Sequence, residues 1–234
     1  MSLLSICQGV SDVVGFTRPT AIISSMDQIP RQCLGFAKET LIELSKMDWP
    51  VLQVPYTFNT VPGQAAYDLP VDFAREIGDS VYGAARYSQV RGSLTPADWA
   101  RQRNVLPGLG FYRFRIFGNP MQLNLTPTPQ VAESIVFEYQ TTYRVRQISG
   151  DFKTTFYADD DVTVVDEDLM VKGLKWRMRR AKGMDYSEEF DDYEIDRAQT
   201  LAQAMQLGSL PVATRSPYYE GELGMGYIPE SGFG

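Results

Sequence analysis

The chain has 234 residues, with 22 basic and 29 acidic side chains, a formal net charge of −7 and no histidine. The missing histidine removes the commonest general base and metal ligand, and every Ser-His or Cys-His nucleophilic arrangement. Two cysteines, Cys7 and Cys33, are too few for a structural zinc site or a disulfide framework. The acidic balance argues against a protein that wraps nucleic acid electrostatically.

The N-terminal segment does not resemble a targeting signal. Met1 to Phe16 has no basic n-region, and its apolar residues are interrupted by polar ones. No stretch approaches 18 consecutive apolar residues, so we expect no transmembrane helix and a chain made without export. Both cysteines are then expected to be reduced and to pack as small hydrophobic side chains.

Helical periodicity marks the first fifty residues. Apolar side chains recur at intervals of three and four over residues 3–14, which predicts a short helix closed by Gly15. Ser25 or Asp27 offers an N-cap for a longer helix that runs to about Lys46.

The period changes to two in the middle of the chain. Residues 51–61 and 66–70 are separated by Pro62-Gly63-Gln64, which predicts two strands joined as a hairpin. A helical turn capped by Thr95 is expected at 93–104. Further strands are expected at 76–83, 84–91, 111–117, 121–126 and 134–146. Together these segments predict an antiparallel β domain.

The helical period returns after Gly150. Asp166 can cap one long helix, Gly183 interrupts it, and a second helix is expected from Ser187 to Leu207. The predicted apolar stripe of that second helix consists of Phe190, Tyr193, Ala198, Leu201 and Met205.

The predicted fold class is α+β. A helical bundle formed by N- and C-terminal helices carries an inserted antiparallel β domain and an extended C-terminal arm. The expected segments are 1–50 (bundle, first part), 51–149 (β domain), 150–208 (bundle, second part) and 209–234 (arm).

The last 26 residues differ from the rest in composition. They have no hydrophobic period and hold three prolines and five glycines. A segment of this kind is expected to be disordered alone, yet it keeps aromatic side chains that suit docking on a partner. The candidate docking residues are Tyr218, Tyr219, Tyr227 and Phe233.

Carboxylates are the only catalytic groups present in quantity. Residues 159–161 and 166–168 are all Asp or Glu, which gives six acidic residues within ten positions. They do not form an EF-hand loop, because Val164 and Met170 occupy the positions that require glycine and glutamate. We interpret these acids mainly as caps for the helix that begins near residue 166. A looser cation site stays open as an alternative.

A basic run at 172–182 is followed by an acidic run at 185–196. The runs predict either a solvated helix pair with mutual charge pairing or an interface between subunits, of the head-to-tail kind that closes into rings. Acidic residues facing a central channel would repel DNA phosphates. The candidate inter-subunit residues are Lys175, Arg179, Arg180, Glu188, Glu189 and Asp192.

A series of motifs resembles a known family. The motifs are Trp49-Pro50-x-Leu52, Tyr56-Thr57-Phe58-x-Thr60-Val61-x-Gly63-Gln64-x-x-Tyr67-x-Leu69-Pro70-x-Asp72-Phe73, Leu94-Thr95-x-x-Asp98-Trp99, Phe156-x-Ala158-Asp159-x-Asp161 and Lys172-Gly173-Leu174-Lys175-Trp176-Arg177. Over about residues 27–208 the chain resembles the head-to-tail adaptor proteins of tailed bacteriophages, also called head completion or tail tubular proteins, especially those of short-tailed phages. The three tryptophans of these motifs are expected to be core residues.

The resemblance implies a structural virion protein, made in the host cytoplasm, and no enzyme. Such adaptors build a dodecameric ring beneath the portal, extend the DNA channel without sequence-specific binding, and provide the platform for tail or nozzle proteins. The resemblance brings no catalytic residues, metal or cofactor, and no membrane partner. The segment 209–234 would serve as the arm that reaches the portal.

Two other functions remain open from the residues alone. A carboxylate-dependent hydrolase of cell-wall glycans could use some pair among the acidic residues. A monomeric module that binds carbohydrate or protein is compatible with the β domain and the aromatic side chains.

Overall fold

Helices from both ends of the chain pack together in one bundle. The computed structural model describes residues 1–83, 88–104 and 111–205. The helices in this part are α1 (Leu3–Val14), α2 (Gln28–Leu44), α3 (Pro96–Asn104), α4 (Glu167–Ala181) and α5 (Ser187–Ala204). The central helix is α4, which packs against α1, α2 and α5. The expected pairing of N- and C-terminal helices is therefore confirmed.

The ends of α1 and α2 follow from local chemistry. Gly15 has a φ of 81°, the left-handed conformation that closes a helix without a Cβ clash, and its N–H donates to the Ser11 carbonyl. Asp27 is the N-cap residue of α2, and the Ser25 hydroxyl accepts a hydrogen bond from the Asp27 N–H at 3.2 Å. The helix ends at Leu44, two residues earlier than expected.

The bundle core is apolar and continuous. Its larger members include Leu3, Ile6, Leu41, Trp49, Leu52, Phe156, Leu174 and Tyr193. Cys7 and Cys33 are both buried in it as free thiols, as expected. The backbone of α1 is tied to a distant loop, because the N–H groups of Leu3 and Leu4 donate to the carbonyls of Asp161 and Asp159 at 2.8 and 3.0 Å.

The strands of the described residues form three antiparallel sheets. The largest has the order β1-β8-β4-β5, with β3 also paired to β8; the others are β2-β7-β6 and β10-β9-β11. Their bounds are β1 (Gln53–Asn59), β2 (Ala66–Asp68), β3 (Phe73–Glu76), β4 (Tyr82–Gly83), β5 (Ser88–Gln89), β6 (Arg113–Phe117), β7 (Gln122–Thr126), β8 (Ser134–Thr141), β9 (Val145–Arg146), β10 (Phe152–Lys153) and β11 (Val162–Thr163). The first two sheets share a second apolar core rich in Phe and Tyr. The α+β fold class is confirmed.

The predicted hairpin between β1 and β2 is wrong. The strand β1 pairs with β8, from Gln53 opposite Gln140 to Asn59 opposite Ser134, while β2 pairs with β7. The turn itself exists, with Gly63 at a φ of 82°, but it leads the chain from one sheet to the next. A turn residue fixes the local bend and does not fix which strand the chain then joins.

The region after Gly150 also differs from its prediction. The short strands β10 and β11 pair with β9 before helix α4 begins at Glu167. Asp166 caps α4, with the Leu169 N–H donating to its Oδ1 at 2.9 Å, and Gly183 has a φ of 70° in the turn to α5. Both of these roles were expected from the sequence.

Helix α5 buries fewer side chains than its predicted apolar stripe would require. Tyr193 is its buried residue, and Leu201 lies partly buried against the core. Ala198, which the prediction placed on the apolar stripe, is exposed. The helix ends at Ala204, and the predicted end at Leu207 lies outside the described residues.

Directed hydrogen bonds join the bundle to the largest sheet. Gln140 of β8 is 1% exposed, and its Nε2 donates to the carbonyls of Ser45 and Met47 at 2.9 and 2.7 Å. The Trp49 Nε1 donates to the Leu44 carbonyl at 2.7 Å. The Ser45 carbonyl follows the last turn of α2, and Gln140 supplies its donor, whereas the Leu44 and Met47 carbonyls also accept from the N–H groups of Met47 and Trp49. Trp49 is therefore a junction core residue, as predicted, and the other two tryptophans are also buried.

Candidate assembly surfaces

The predicted inter-subunit residues fall into two groups. In the first, Lys175 and Arg179 on α4 both form ion pairs with Glu189 on α5; the Lys175 Nζ lies 3.5 Å from the Glu189 Oε1. The Arg179 guanidinium holds the pKa of the Glu189 carboxyl below its ordinary value. The turn at Gly183 folds α5 back on α4, which brings the basic and acidic runs together within one chain.

The second group consists of Arg180, Glu188 and Asp192. All three side chains are exposed, and none forms an ion pair with another residue in the described part of the chain. Their charged groups therefore lie at the surface without an opposite charge among the described residues. The inter-subunit role of all six residues stays a prediction.

A partly buried polar network links α2, α4 and α5. The Glu43 carboxylate on α2 accepts from the Tyr193 hydroxyl at 3.0 Å and from the Arg197 Nη1 at 2.9 Å, and it also pairs with Arg177. The Arg177 Nη1 donates to the Gly173 carbonyl at 3.0 Å. Burial, followed by the Glu43 charge, raises the pKa of Tyr193 to about 12. Residues from three helices thus meet at one carboxylate.

Sequence reasoning missed this network. Arg177 stands in a quoted motif, but Glu43 and Arg197 carried no signal beyond being charged residues on predicted helices. Arg177 is 8% exposed, so removing the Glu43 carboxylate would take the nearest acidic partner from a buried cation. We assign the network to the fold and not to a reaction.

Gly173 in the same motif has a packing role. A Cβ atom built on Gly173 would lie 2.5 Å from the Cγ2 of Thr40 and 3.2 Å from a ring carbon of Tyr193. Glycine therefore allows α4 to approach α2 and α5 closely. The motif Lys172 to Arg177 thus combines close helix packing with charge pairing.

The acidic residues at 159–168 accept hydrogen bonds from backbone N–H groups, and they do so at more positions than the predicted cap of α4. Asp159 accepts from the N–H groups of Ile22 and Ile23, the latter at 2.8 Å. Asp161 is 1% exposed and accepts from two backbone N–H groups, at 2.7 and 2.9 Å. Asp166 caps α4 as expected. Over residues 1–83, 88–104 and 111–205, no group of three or more Cys, Asp or Glu side chains is arranged to hold a metal ion.

Asp72, another motif residue, is fixed inside the β domain. Its carboxylate accepts from the Tyr139 hydroxyl at 2.9 Å and from the Thr141 hydroxyl at 2.6 Å. Tyr67 has a similar local role, since its hydroxyl donates to the Gln64 carbonyl and accepts from the Val61 N–H across the Gly63 turn. These motif residues stabilise the fold.

The four predicted arm residues, Tyr218, Tyr219, Tyr227 and Phe233, lie outside the described residues. Their docking role stays a prediction. Among the residues that the structure describes, no helix is both long enough and apolar enough to cross a membrane.

In the contacts described above, charged and aromatic side chains hold helices and strands in place. The particular family follows from comparison with known families: the family model described as SU10 adaptor protein matches residues 1–220, and the chain belongs to this family. This is a head-tail adaptor family of phages, which confirms the resemblance seen in the motifs. No curated protein matches the chain.

Membership in this family defines the general role of the protein. It is a structural adaptor of a bacteriophage virion, located at the head-tail interface, where the family interacts with portal and tail proteins in general. The match also covers α1 and part of the C-terminal segment, both outside the stretch that the motifs span.

Proposed function

We propose that this adaptor assembles as a ring of twelve subunits beneath the portal, extends the DNA channel and provides the platform for tail or nozzle proteins. The observation that carries the proposal is the family match over residues 1–220. Subunits are made in the host cytoplasm and become part of the virion there. DNA passes through without sequence-specific binding.

The charge distribution of the chain supports a role in DNA passage. The net charge of the chain is −7. Carboxylates near a channel repel phosphates and keep the duplex from adhering to the wall. The six charged residues predicted at subunit contacts remain part of this proposal, with Arg180, Glu188 and Asp192 as the exposed members.

The aromatic segment 209–234 supports docking on the portal through Tyr218, Tyr219, Tyr227 and Phe233. With twelve copies in a ring, each contact can be weak while the whole assembly is tight, because binding of one arm raises the effective concentration of the others.

The test is the light-scattering mass of the protein, alone and after mixing with its portal. We expect the portal to gain about twelve chains of 26.3 kDa each. A protein that stays a monomer in the presence of portal would contradict the proposal.

A truncation refines the test. A chain ending at residue 208 should melt as cooperatively as the full chain and bind portal more weakly, since segment 209–234 has no hydrophobic period of its own. Loss of cooperative melting would instead assign these residues to the core. Unchanged portal binding would refute the docking role of segment 209–234.

A further inference from the structure

Helix α5 presents an unpartnered face to solvent. Its residues spaced by three and four positions on the side opposite Tyr193 are all exposed: Glu188, Asp191, Asp192, Ile195, Ala198 and Ala202. This spacing places them in one stripe along the helix. The stripe is acidic in its first half and apolar in its second half, where Ile195 is 54% exposed. We call it the α5 outer face.

The hairpin of β9 and β10 presents a surface of opposite character. Arg146 of β9 is exposed and lies directly opposite Phe152 of β10, so both side chains share one face of the hairpin. Phe152 is 53% exposed, and Ile148 in the connecting turn is 78% exposed. Residues 144–153 carry three cations and one anion. We call this surface the basic hairpin.

Among the residues that the structure describes, no ion pair neutralises either surface. Arg146 forms no ion pair with any described residue, and the acids of the α5 outer face form none either. Of the α4 cations, Lys175 and Arg179 are already paired with Glu189, and the exposed Arg180 lies beside Phe36 and Glu39 of α2. The acids of the α5 outer face are therefore available to pair with a cation of another molecule.

We propose that the α5 outer face of one copy packs against the basic hairpin of the next copy. The acidic half of the face meets Arg146, and Ile195 meets Ile148 and Phe152. Opposite charges and exposed apolar side chains occur together on both surfaces, which suits a protein partner better than a nucleic acid phosphate. The occupant is a second copy of this chain because the two surfaces are complementary in both respects.

The contact is heterologous, since two different surfaces meet. Such a contact repeats from copy to copy and closes into a ring when its rotation permits. The inference rests on the subunit ring proposed above and assigns the surfaces that build it.

Cross-linking on the assembled portal complex tests the contact directly. Two variants, Ile195→Cys and Phe152→Cys, are mixed, assembled with portal and treated with a short bis-maleimide. The native thiols Cys7 and Cys33 are buried and do not react. We expect covalent dimers in the mixture and in neither variant alone. Dimers from Ile195→Cys alone, or none in the mixture, would overturn the proposal.

Charge reversal gives an independent measure. Arg146→Glu and Asp192→Arg should each weaken assembly by about tenfold or more, and the double variant should recover most of the loss, because like charges meet in each single variant and opposite charges in the double. The matched control is Arg31→Glu, an exposed cation of α2 without an ion pair in the described residues, which should assemble normally.

These results separate the interface from the ring itself. If the unmodified chain adds no mass to the portal, the ring is refuted and the interface with it. If the unmodified chain assembles and the charge reversals assemble equally well, only the interface is refuted.

Discussion

Gly173 allows the closest approach between α4 and α2, and Gly173→Ala measures how tightly the bundle is packed. The added methyl would lie 2.5 Å from the Thr40 Cγ2, where carbon atoms prefer about 3.5–4.0 Å. Thr40 is fully buried, and its hydroxyl donates to the Phe36 carbonyl at 2.8 Å, so its side chain cannot rotate away without losing that bond. One of the two helices must shift by about 1 Å.

The expected magnitude combines two opposing effects. Overpacking of a well-packed core costs about 1–3 kcal/mol. Replacing glycine by alanine inside a helix returns about 0.5–1 kcal/mol. We therefore expect Gly173→Ala to lower the free energy of unfolding by about 1 kcal/mol, measured by urea denaturation.

Two further variants make the test specific. Gly35→Ala on α2 is the matched control, because a Cβ there meets nothing within 4 Å and should stabilise the protein. Thr40→Ser removes the Cγ2 while keeping the hydroxyl, so it should recover stability only when combined with Gly173→Ala. If Gly173→Ala stabilises as Gly35→Ala does, and shows no coupling to Thr40→Ser, the packing argument is wrong.

Three more predictions concern the buried polar groups. Gln140→Met should lower the free energy of unfolding in urea by about 1–3 kcal/mol, because the partly buried Ser45 carbonyl loses its donor while the Met47 carbonyl keeps the Trp49 N–H; a change within error would contradict the junction role. Asp161→Asn should cost about 1–3 kcal/mol in the same assay, since one oxygen accepts two backbone N–H groups; wild-type stability would show that these bonds are dispensable. Tyr193 has a folded pKa of about 12 against an ordinary value of 10.0, so its contribution is fully present below pH 10 and is lost as the pH rises toward 12. Thermal melts of Tyr193→Phe should therefore lose less stability over that pH window than the wild type, and equal losses would refute this assignment.

Local signals predicted the helices and their ends well. Gly15, Asp166 and Gly183 mark boundaries through backbone conformation or capping, which depend on a few neighbouring residues. The structure confirms all three. The α+β class followed from the same change of period along the chain.

Long-range pairing was beyond these signals. The alternation of 51–61 predicted a strand but not its partner, which is β8 and not the neighbouring β2. The strands β10 and β11 have two residues each, too few for a period to show. Ala198 is equally consistent with a buried or an exposed helix position, and the structure exposes it.

For the same reason, only part of the candidate assembly surfaces could be predicted from the sequence. Charge runs on two adjacent helices can pair within a chain or between chains, and composition does not distinguish these cases. The structure shows that Lys175, Arg179 and Glu189 pair internally. The Glu43 network escaped prediction because its members come from three helices that are distant in sequence.

The attachment of α1 to residues 159–161 sets an order of events during synthesis. Leu3 and Leu4 find their backbone acceptors only after Asp161 has left the ribosome, and Tyr193 follows later still. Such distant contacts make folding slow and prevent the bundle from closing on a partial chain. A product cut short before α4 leaves the apolar sides of α1 and α2 bare and goes to chaperones or proteases. A chain that ends before α4 therefore cannot complete the bundle core.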